Sequence, residues 1–112
     1  MPRWLATVRG DVYELKSIKG TKGREQSGKR YCVIVQSDEL PLSTVLVVPT
    51  SASARENQTF RPRIAFGAER ATVLVDQLIA VDSELALGQM VGRISHAELQ
   101  RVDEALRLVL DI

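Results

Sequence analysis

Short apolar runs separated by polar turns organise the first half of the chain. Residues 11–15 alternate between polar and apolar after Gly10, and this period of two predicts a half-buried strand. Residues 32–35 and 45–48 are continuously apolar and rich in β-branched side chains, which predicts central strands buried on both faces. Residues 37–41 contain Ser, Asp and Pro and predict a turn between these strands.

The second half of the chain continues this pattern of short strands. Residues 51–63 are polar and predict a loop. Residues 63–66 and 72–75 then predict two strands around a turn at Gly67, and residues 91–94 predict a last strand.

A short helical segment is predicted between these strands. Residues 79–81 lead to Asp82 or Ser83, and either side chain can cap the first turn of a helix. The pattern predicts a helical turn that runs through Leu87 and stops at Gly88.

The clearest helix signal lies at the end of the chain. Ser95 is followed three residues later by Glu98, the spacing of a capping box. Apolar residues then recur at helical spacing, namely Leu99, Val102, Leu106 and Val109, with Ala105 and Leu110 widening the stripe. Several short strands and one terminal helix, without alternating β and α units, predict a mainly β fold: a small antiparallel β-barrel with short helices and a C-terminal α-helix.

Composition predicts one soluble domain over residues 1–112, because this length supports a single modest core. The one cysteine, Cys32, lies in an apolar run and cannot form an internal disulfide, which fits a reducing compartment. We find neither a signal peptide nor a run near the roughly 18 apolar residues of a membrane span. A cytoplasmic protein without membrane contact is therefore expected.

Charge is concentrated in one segment, although the net charge is only +1. Residues 16–30 lack periodicity, contain three glycines and predict a loop. Its charged residues are Lys16, Lys19, Lys22, Arg24, Lys29 and Arg30, against the single carboxylate of Glu25. Any nucleic-acid site must therefore be local.

Several kinds of catalytic chemistry are excluded. The single histidine, His96, cannot supply a two-imidazole acid–base pair, and its place beside a helix cap favours a structural role. The chain has no His/Cys metal cluster, no phosphate-binding G-x-x-x-x-G-K-[ST] loop and no G-x-S-x-G nucleophile turn. A hydrolase built on this chain would use Arg, Thr, Asp or Glu, and we expect neither a metal nor another cofactor.

A set of short motifs, taken in order, resembles the MazF/PemK/Kid-type toxins of type II toxin–antitoxin systems. The similar segments are residues 9–13, an opening strand; 23–30 running into 33–35, similar to G-x-E-Q-x-G-x-R-P-x-x-V-x-S; 47–51, a strand ending in P-x-T-S; 75–78, a hydrophobic-D-Q segment; and 91–94 with the final helix. The resemblance spans nearly the whole chain and implies the SH3-like, CcdB-like barrel of that family.

Two positions depart from the family pattern. Tyr31 follows Arg30 where the family usually has proline, which removes a fixed φ but keeps the arginine. The Kid-type branch has an arginine two residues before the aspartate that matches Asp76, and here that position is Leu74. The resemblance therefore favours a site centred on Arg30 and Thr50.

The family's activity implies a sequence-specific, ribosome-independent endoribonuclease that cuts single-stranded RNA without a metal. Attack by the RNA's own 2′-OH would give 2′,3′-cyclic phosphate and 5′-OH ends. By resemblance Arg30 stabilises the charge at the scissile phosphate, Thr50 donates a hydrogen bond to it, and Glu25 is the nearest candidate for the base, although the sequence leaves the base open.

RNA binding is expected around this site. Lys19, Lys22, Arg24 and Lys29 would hold the RNA backbone, and the polar groups able to contact bases are Gln26, Ser51, Asp76 and Gln77. The wide apolar stripe of the last helix suggests an isologous homodimer. The resemblance implies an RNA groove across that dimer and a MazE-like cognate antitoxin, whose disordered acidic C-terminal segment would fold onto the basic groove.

Two other functions remain open at this stage. A CcdB-type toxin would share the architecture but would bind gyrase without cutting RNA. An SH3-like RNA-binding or adaptor domain would bind RNA and never cleave it.

Overall fold

The computed structural model describes residues 7–16 and 30–112, and these residues form a mainly β fold with a terminal helix. The elements are β1 (Asp11–Leu15), β2 (Tyr31–Ile34), β3 (Thr44–Ser51), β4 (Arg63–Phe66), β5 (Glu69–Val73), a 3₁₀ helix (Val75–Gln77), β6 (Ile79–Asp82), α1 (Ser83–Ala86), β7 (Leu87–Arg93) and α2 (His96–Leu110). The predicted fold class is confirmed.

Strand β3 is the centre of the sheet. The seven strands pair in the order β4-β5-β3-β2-β1-β7, with β6 as a further partner of β3, and all pairs are antiparallel. One edge of β3 pairs with β2 along residues 47–49, and the other pairs first with β6 along 44–47 and then with β5 along 50–51. Three strands are therefore positioned by one.

Pro49 lies inside this central strand, a place where proline is normally excluded because it lacks an N–H. Its carbonyl accepts a hydrogen bond from the N–H of Leu74 at 2.8 Å, on the edge of β3 where β6 has ended and β5 begins. A residue's N–H and C=O point to the same edge of a strand, so the missing donor costs no bond to β2. Strand β3 therefore continues to Ser51, beyond the predicted run 45–48.

Two groups of apolar side chains cover the two faces of the sheet. The first core lies under α2 and consists of Val12, Val33, Val35, Val48, Ile64, Phe66, Ala71, Val73, Val75, Ile94, Val102 and Ala105. The second consists of Tyr13, Cys32, Ile34, Val45, Val47, Val81 and Leu87. Strands β2 and β3 contribute to both, which confirms burial on both faces for the run of β2, whereas the run of β3 departs from the prediction at Leu46, which is exposed.

The two ends of the sheet approach each other, so the sheet curls into a partly open barrel. A Cβ placed on Gly92 of β7 would lie 3.2 Å from the Cβ of Phe66 on β4. Along the free edge of β4, the N–H of Ala65 donates to Glu98 Oε2 at 2.8 Å, and the carbonyl of Arg63 accepts from Arg101 at 3.3 Å. Side chains of α2 thereby satisfy an edge that would otherwise remain open to pairing.

The helix α2 begins as predicted. The Ser95 hydroxyl accepts from the Glu98 N–H, and the Glu98 carboxylate accepts from the Ser95 N–H, which completes the capping box. Val102 and Ala105 are buried, whereas the last apolar residues of the stripe, Val109 and Leu110, are exposed. The C-terminal turn of the helix therefore leaves apolar surface uncovered.

The opening motif of the chain has a structural role. The Asp11 carboxylate is buried and accepts from Arg93 Nε at 2.7 Å. The Arg9 guanidinium binds Asp103 of α2 and donates from Nε to the carbonyl of Val35 at 2.9 Å. These bonds fix the turn before β1 against β7 and α2.

Several predicted bounds require correction, including the last strand, which was predicted over residues 91–94 and spans Leu87–Arg93. The helical turn capped by Asp82 ends at Ala86, because Leu87 is already extended (φ −93°, ψ 130°) and begins β7. Gly88 does not stop a helix: it lies in β7, where a Cβ would come 2.9 Å from the Cβ of Glu14 on β1. Likewise β5 ends at Val73, and Val75 belongs to the 3₁₀ helix.

No helix within residues 7–16 and 30–112 is both long and apolar enough to cross a membrane.

Cys32 provides a direct check of the second core. The residue is fully buried, and burial raises the pKa of its thiol to about 12. Because the thiolate is the reactive form, we predict that native Cys32 reacts with a disulfide reagent at pH 8 at least about a hundredfold more slowly than in the unfolded chain. The absorbance of the thiol released from the reagent follows the reaction. Equal rates for the native and the unfolded chain would contradict the burial of Cys32.

Candidate functional site

The structure brings Arg30 and Thr50 to the same end of the sheet. The β1–β2 ladder continues one residue before β2, since the N–H of Leu15 donates to the carbonyl of Arg30 at 2.8 Å. On the other side of β2, the Thr50 hydroxyl donates to the carbonyl of Tyr31 at 3.2 Å. The start of β2 and the end of β3 are therefore neighbours. Thr50 binds Tyr31, the residue after Arg30, so Arg30 and Thr50 are offset by one position across these two strands.

Arg30 is an exposed cation. Within residues 7–16 and 30–112, no carboxylate lies within ion-pair distance of its guanidinium. It thus differs from Arg9, Arg61 and Arg93, each of which is bound to an aspartate. An unpaired guanidinium at a strand end can bind an anionic group in a bidentate manner.

The hydroxyl groups of Thr50 and Ser51, two neighbours of Arg30 at the end of β3, make different hydrogen bonds. Thr50 is only 5 % exposed, packs on the face of the first core, and uses its single hydroxyl proton on Tyr31. The Ser51 oxygen accepts from the N–H groups of Ser53 and Ala54 at 3.2 and 2.9 Å, which caps the turn after β3. Thr50 must give up its bond to Tyr31 to donate to a ligand, whereas Ser51 can donate its own proton while it still accepts from the two N–H groups.

Asp76 lies on the 3₁₀ helix and is bound to Arg61. Arg61 Nε donates to Asp76 Oδ1 and Arg61 Nη2 donates to Asp76 Oδ2, both at 2.9 Å. These bonds hold the pKa of the Asp76 carboxyl below its usual range. Gln77, the next residue, is exposed. Sequence reasoning missed Arg61, because it lies 15 residues from its partner in a loop without periodicity.

The Arg61–Asp76 pair lies two strands from Arg30's neighbour Thr50. Thr50 is opposite Val73 in the β3–β5 ladder, and the Val73 N–H donates to the carbonyl of Pro62 at 2.8 Å. Neighbouring strands are about 4.8 Å apart, so Arg61 follows at a distance on the order of 10 Å from Thr50.

The remaining predicted site residues lie outside the described parts of the chain. They are Lys19, Lys22, Arg24, Glu25, Gln26 and Lys29, which all belong to residues 17–29. The contribution of the basic loop to the site therefore stays a prediction.

The described surface also bears on whether the site could hold a metal ion or include a pocket. No group of three or more His, Cys, Asp or Glu side chains in the described ranges could hold a metal ion. A pocket of about 340 Å³ is lined by Glu56, Gln58, Pro62, Arg63 and Arg101. None of the predicted site residues that the structure describes lines this pocket.

Comparisons with known proteins agree on one family. The family model for PemK-like, MazF-like toxins of type II toxin–antitoxin systems matches residues 8–110. A putative toxin of Mycobacterium tuberculosis is 31 % identical over 105 residues, covering 94 % of this chain and 98 % of that protein. Endoribonuclease MazF9 of the same organism is 27 % identical over 117 residues, covering 93 % and 96 %.

Solved structures show the same fold. An endoribonuclease in complex with its cognate antitoxin, from a mycobacterial species, superposes with a TM-score of 0.73 at 21 % identity, covering 95 % of this chain and 96 % of that one. MazF from Deinococcus radiodurans superposes with a TM-score of 0.71 at 16 % identity, covering 95 % and 97 %. At these identities the likeness is one of fold.

The Arg61–Asp76 pair makes a prediction about pH. Because Arg61 lowers the folded-state pKa of Asp76, the pair stabilises the fold above the unfolded pKa of about 3.9, and this contribution disappears as the pH falls through the lower, folded pKa. We predict that Asp76→Asn lowers the thermal midpoint at pH 7 by about 1–3 °C.

The same comparison at acid pH provides the control. The difference in thermal midpoint between Asp76→Asn and the wild type should shrink when both proteins are unfolded by heat at pH values below 4. Circular dichroism follows the unfolding. A constant difference from pH 7 down to pH 3 would show that the pair does not titrate as described.

Proposed function

The chain belongs to the family of PemK-like, MazF-like toxins of type II toxin–antitoxin systems, and we propose that it acts as an endoribonuclease on single-stranded RNA. The observation that carries this proposal is the exposed guanidinium of Arg30, which has no carboxylate partner among residues 7–16 and 30–112 and lies one position before Tyr31, whose carbonyl Thr50 binds. The relative named Endoribonuclease MazF9 supports the same activity.

The chemistry needs no metal if the RNA supplies its own nucleophile. The 2′-OH attacks the adjacent phosphorus, the bond to the 5′ oxygen breaks, and the products carry 2′,3′-cyclic phosphate and 5′-OH ends. The enzyme must remove one proton, stabilise extra negative charge on the phosphorane, and protonate the leaving oxygen.

Arg30 fits the second of these tasks. Its guanidinium matches two phosphate oxygens and remains charged at neutral pH, so it stabilises the phosphorane and is a poor base. It can also donate a proton to the leaving group while it contacts the phosphate. No carboxylate of the described residues competes with RNA for the Arg30 N–H donors.

Thr50 has a smaller part. Rotation of its hydroxyl away from the Tyr31 carbonyl would direct the proton towards a phosphate oxygen next to Arg30. Glu25, in the loop before Arg30, is the candidate to accept the 2′-OH proton or to orient the ribose. Lys19, Lys22, Arg24 and Lys29 of the same loop would bind the phosphates on either side.

Base contacts would come from both sides of this centre. Gln26 and Ser51 lie near Arg30 in sequence or register, and Asp76 with Gln77 lies on the 3₁₀ helix. Their amide, hydroxyl and carboxylate groups can bind the edges of bases that are splayed out of a single strand.

The same surface would be the target of regulation. A cognate antitoxin with an acidic segment would bind the cationic loop and block the RNA path, in a cytoplasmic complex. The exposed apolar end of α2 would contribute to an isologous homodimer of this single domain. A CcdB-type gyrase inhibitor is not favoured, because the matching family model and the curated relatives are MazF-like and PemK-like.

Substitution of Arg30 tests its assigned role. Arg30→Ala removes the group that neutralises the phosphorane, so we predict a loss of cleavage rate of at least about a hundredfold with an unchanged thermal midpoint. Arg55→Ala, which removes an exposed cation elsewhere, is the charge-matched control and should retain activity. Full activity of Arg30→Ala in a gel assay would contradict the assignment.

The independence from metal is tested on the wild-type protein. We predict that cleavage of a long RNA continues in excess EDTA, because the ribose and Arg30 carry out the chemistry. Primer extension on the products reports the cut sites and their sequence, and end labelling reports the 5′-OH. Activity that stops on chelation and returns with added divalent metal would overturn this mechanism.

A further inference from the structure

Phe60, Arg61 and Asp76 form a layered arrangement beside the candidate site. The Arg61 guanidinium carbon lies 5.6 Å from the centroid of the Phe60 ring. The same guanidinium donates to both oxygens of Asp76 at 2.9 Å. Asp76 thus holds the N–H edge of the Arg61 guanidinium, while the Phe60 ring lies next to the same guanidinium.

The backbone that carries Arg61 is fixed as well. Asn57 and Arg61 exchange two main-chain hydrogen bonds of 3.0 and 2.7 Å, which close a tight turn. Within this turn the Asn57 side chain accepts from the N–H and the hydroxyl of Thr59, at 2.9 and 2.6 Å. Phe60 packs against the first core. The guanidinium is therefore held in place before any ligand arrives.

Part of this arrangement remains open to solvent. The side chains of Arg61 and Asp76 are 28 % and 33 % exposed. Two of the five guanidinium N–H groups are bound to Asp76, and the exposed part of the flat cation can contact a ligand. Planar guanidinium groups are one of the surfaces on which proteins stack RNA bases.

Aromatic stacking surfaces are scarce in the described part of the chain. Tyr13 and Phe66 are buried there, and Tyr31 packs edge-to-face against Phe66 with centroids 5.2 Å apart. Phe60 is itself half-buried beneath Arg61. Beside these aromatic rings, the partly exposed guanidinium of Arg61 offers a planar group on which a base can stack.

We propose that Arg61 is a specificity-determining residue, whose guanidinium forms the stacking surface for one unpaired RNA base near the cleavage site. The inference rests on the proposed endoribonuclease function. Asp76 acts through Arg61 as a positioning residue, because a base stacked above the guanidinium lies out of the plane of the carboxylate. The exposed amide of Gln77 is then the neighbouring group able to contact the edge of that base.

Charge distinguishes this base site from a phosphate site. The negative carboxylate of Asp76 cancels the positive charge of Arg61 at hydrogen-bond distance, so the pair attracts a phosphate only weakly. Stacking depends on a flat, polarisable surface and survives this cancellation. Arg30, which has no carboxylate partner in the described residues, is the contrasting case.

The test uses the shortest RNA that the wild type cleaves, with a 2′-deoxy nucleotide at the cleavage position to prevent cutting. One base at a time is replaced by an abasic nucleotide, and the dissociation constant is measured by fluorescence anisotropy. We expect Arg61→Ala and the abasic change at one position each to weaken binding about tenfold, and their combination to weaken it no further.

Arg61→Lys separates stacking from charge. It keeps the cation but removes the planar group, so we expect it to bind like Arg61→Ala and to lose sensitivity to the same abasic position. The proposal would be overturned if Arg61→Lys bound the RNA with wild-type affinity, or if Arg61→Ala and the abasic changes weakened binding independently at every position. Arg55→Ala, from the same polar loop, controls for loss of charge, and thermal unfolding confirms that each variant is folded.

The outcome also separates this inference from the proposed function. In one outcome the wild type cleaves RNA while the losses of binding from Arg61→Ala and from the abasic change add together in their combination. That result would reject the stacking role of Arg61 and leave the proposed endoribonuclease activity intact. A wild-type protein that cleaves no RNA would reject both.

Discussion

Strand β3 organises the sheet through its antiparallel register with three neighbouring strands. β2 pairs along one edge, and β6 followed by β5 pairs along the other. The change of partner occurs at Pro49, whose missing N–H costs no bond to β2. This register brings the start of β2, the end of β3 and the approach to β4 together, so residues distant in sequence meet at one end of the sheet.

The chemistry at that end follows from how each polar group is satisfied. The Thr50 hydroxyl donates to a main-chain carbonyl, and Asp76 is held by Arg61, so both are fixed by bonds that the fold itself makes. Arg30 lacks such a partner among the described residues and is exposed. Under the proposed function, these fixed polar groups and the Arg30 cation would orient a phosphodiester and stabilise the charge that develops on it.

Local signals in the sequence predicted the parts of the fold that local physics controls. The capping box of α2 and the existence of strand β1 were confirmed because each depends on residues a few positions apart, whereas β1 is buried on both faces at Val12 and Tyr13 and not half-buried as its alternation predicted. Gly88 was misinterpreted because its role, a close approach to Glu14 on β1, depends on a pairing across the sheet. Arg61 was missed for the same reason, whereas the neighbourhood of Arg30 and Thr50 was predicted only through the family resemblance.

Arg30 is proposed to stabilise a phosphorane that forms when the RNA's own ribose attacks phosphorus. Cleavage of an RNA that carries a single 2′-deoxy nucleotide on the 5′ side of one mapped cut site tests this mechanism. We predict that this bond stays intact while the other sites are cut to 2′,3′-cyclic phosphate ends. Cutting at the deoxy position would contradict it, because the nucleophile would then have to come from water or the protein.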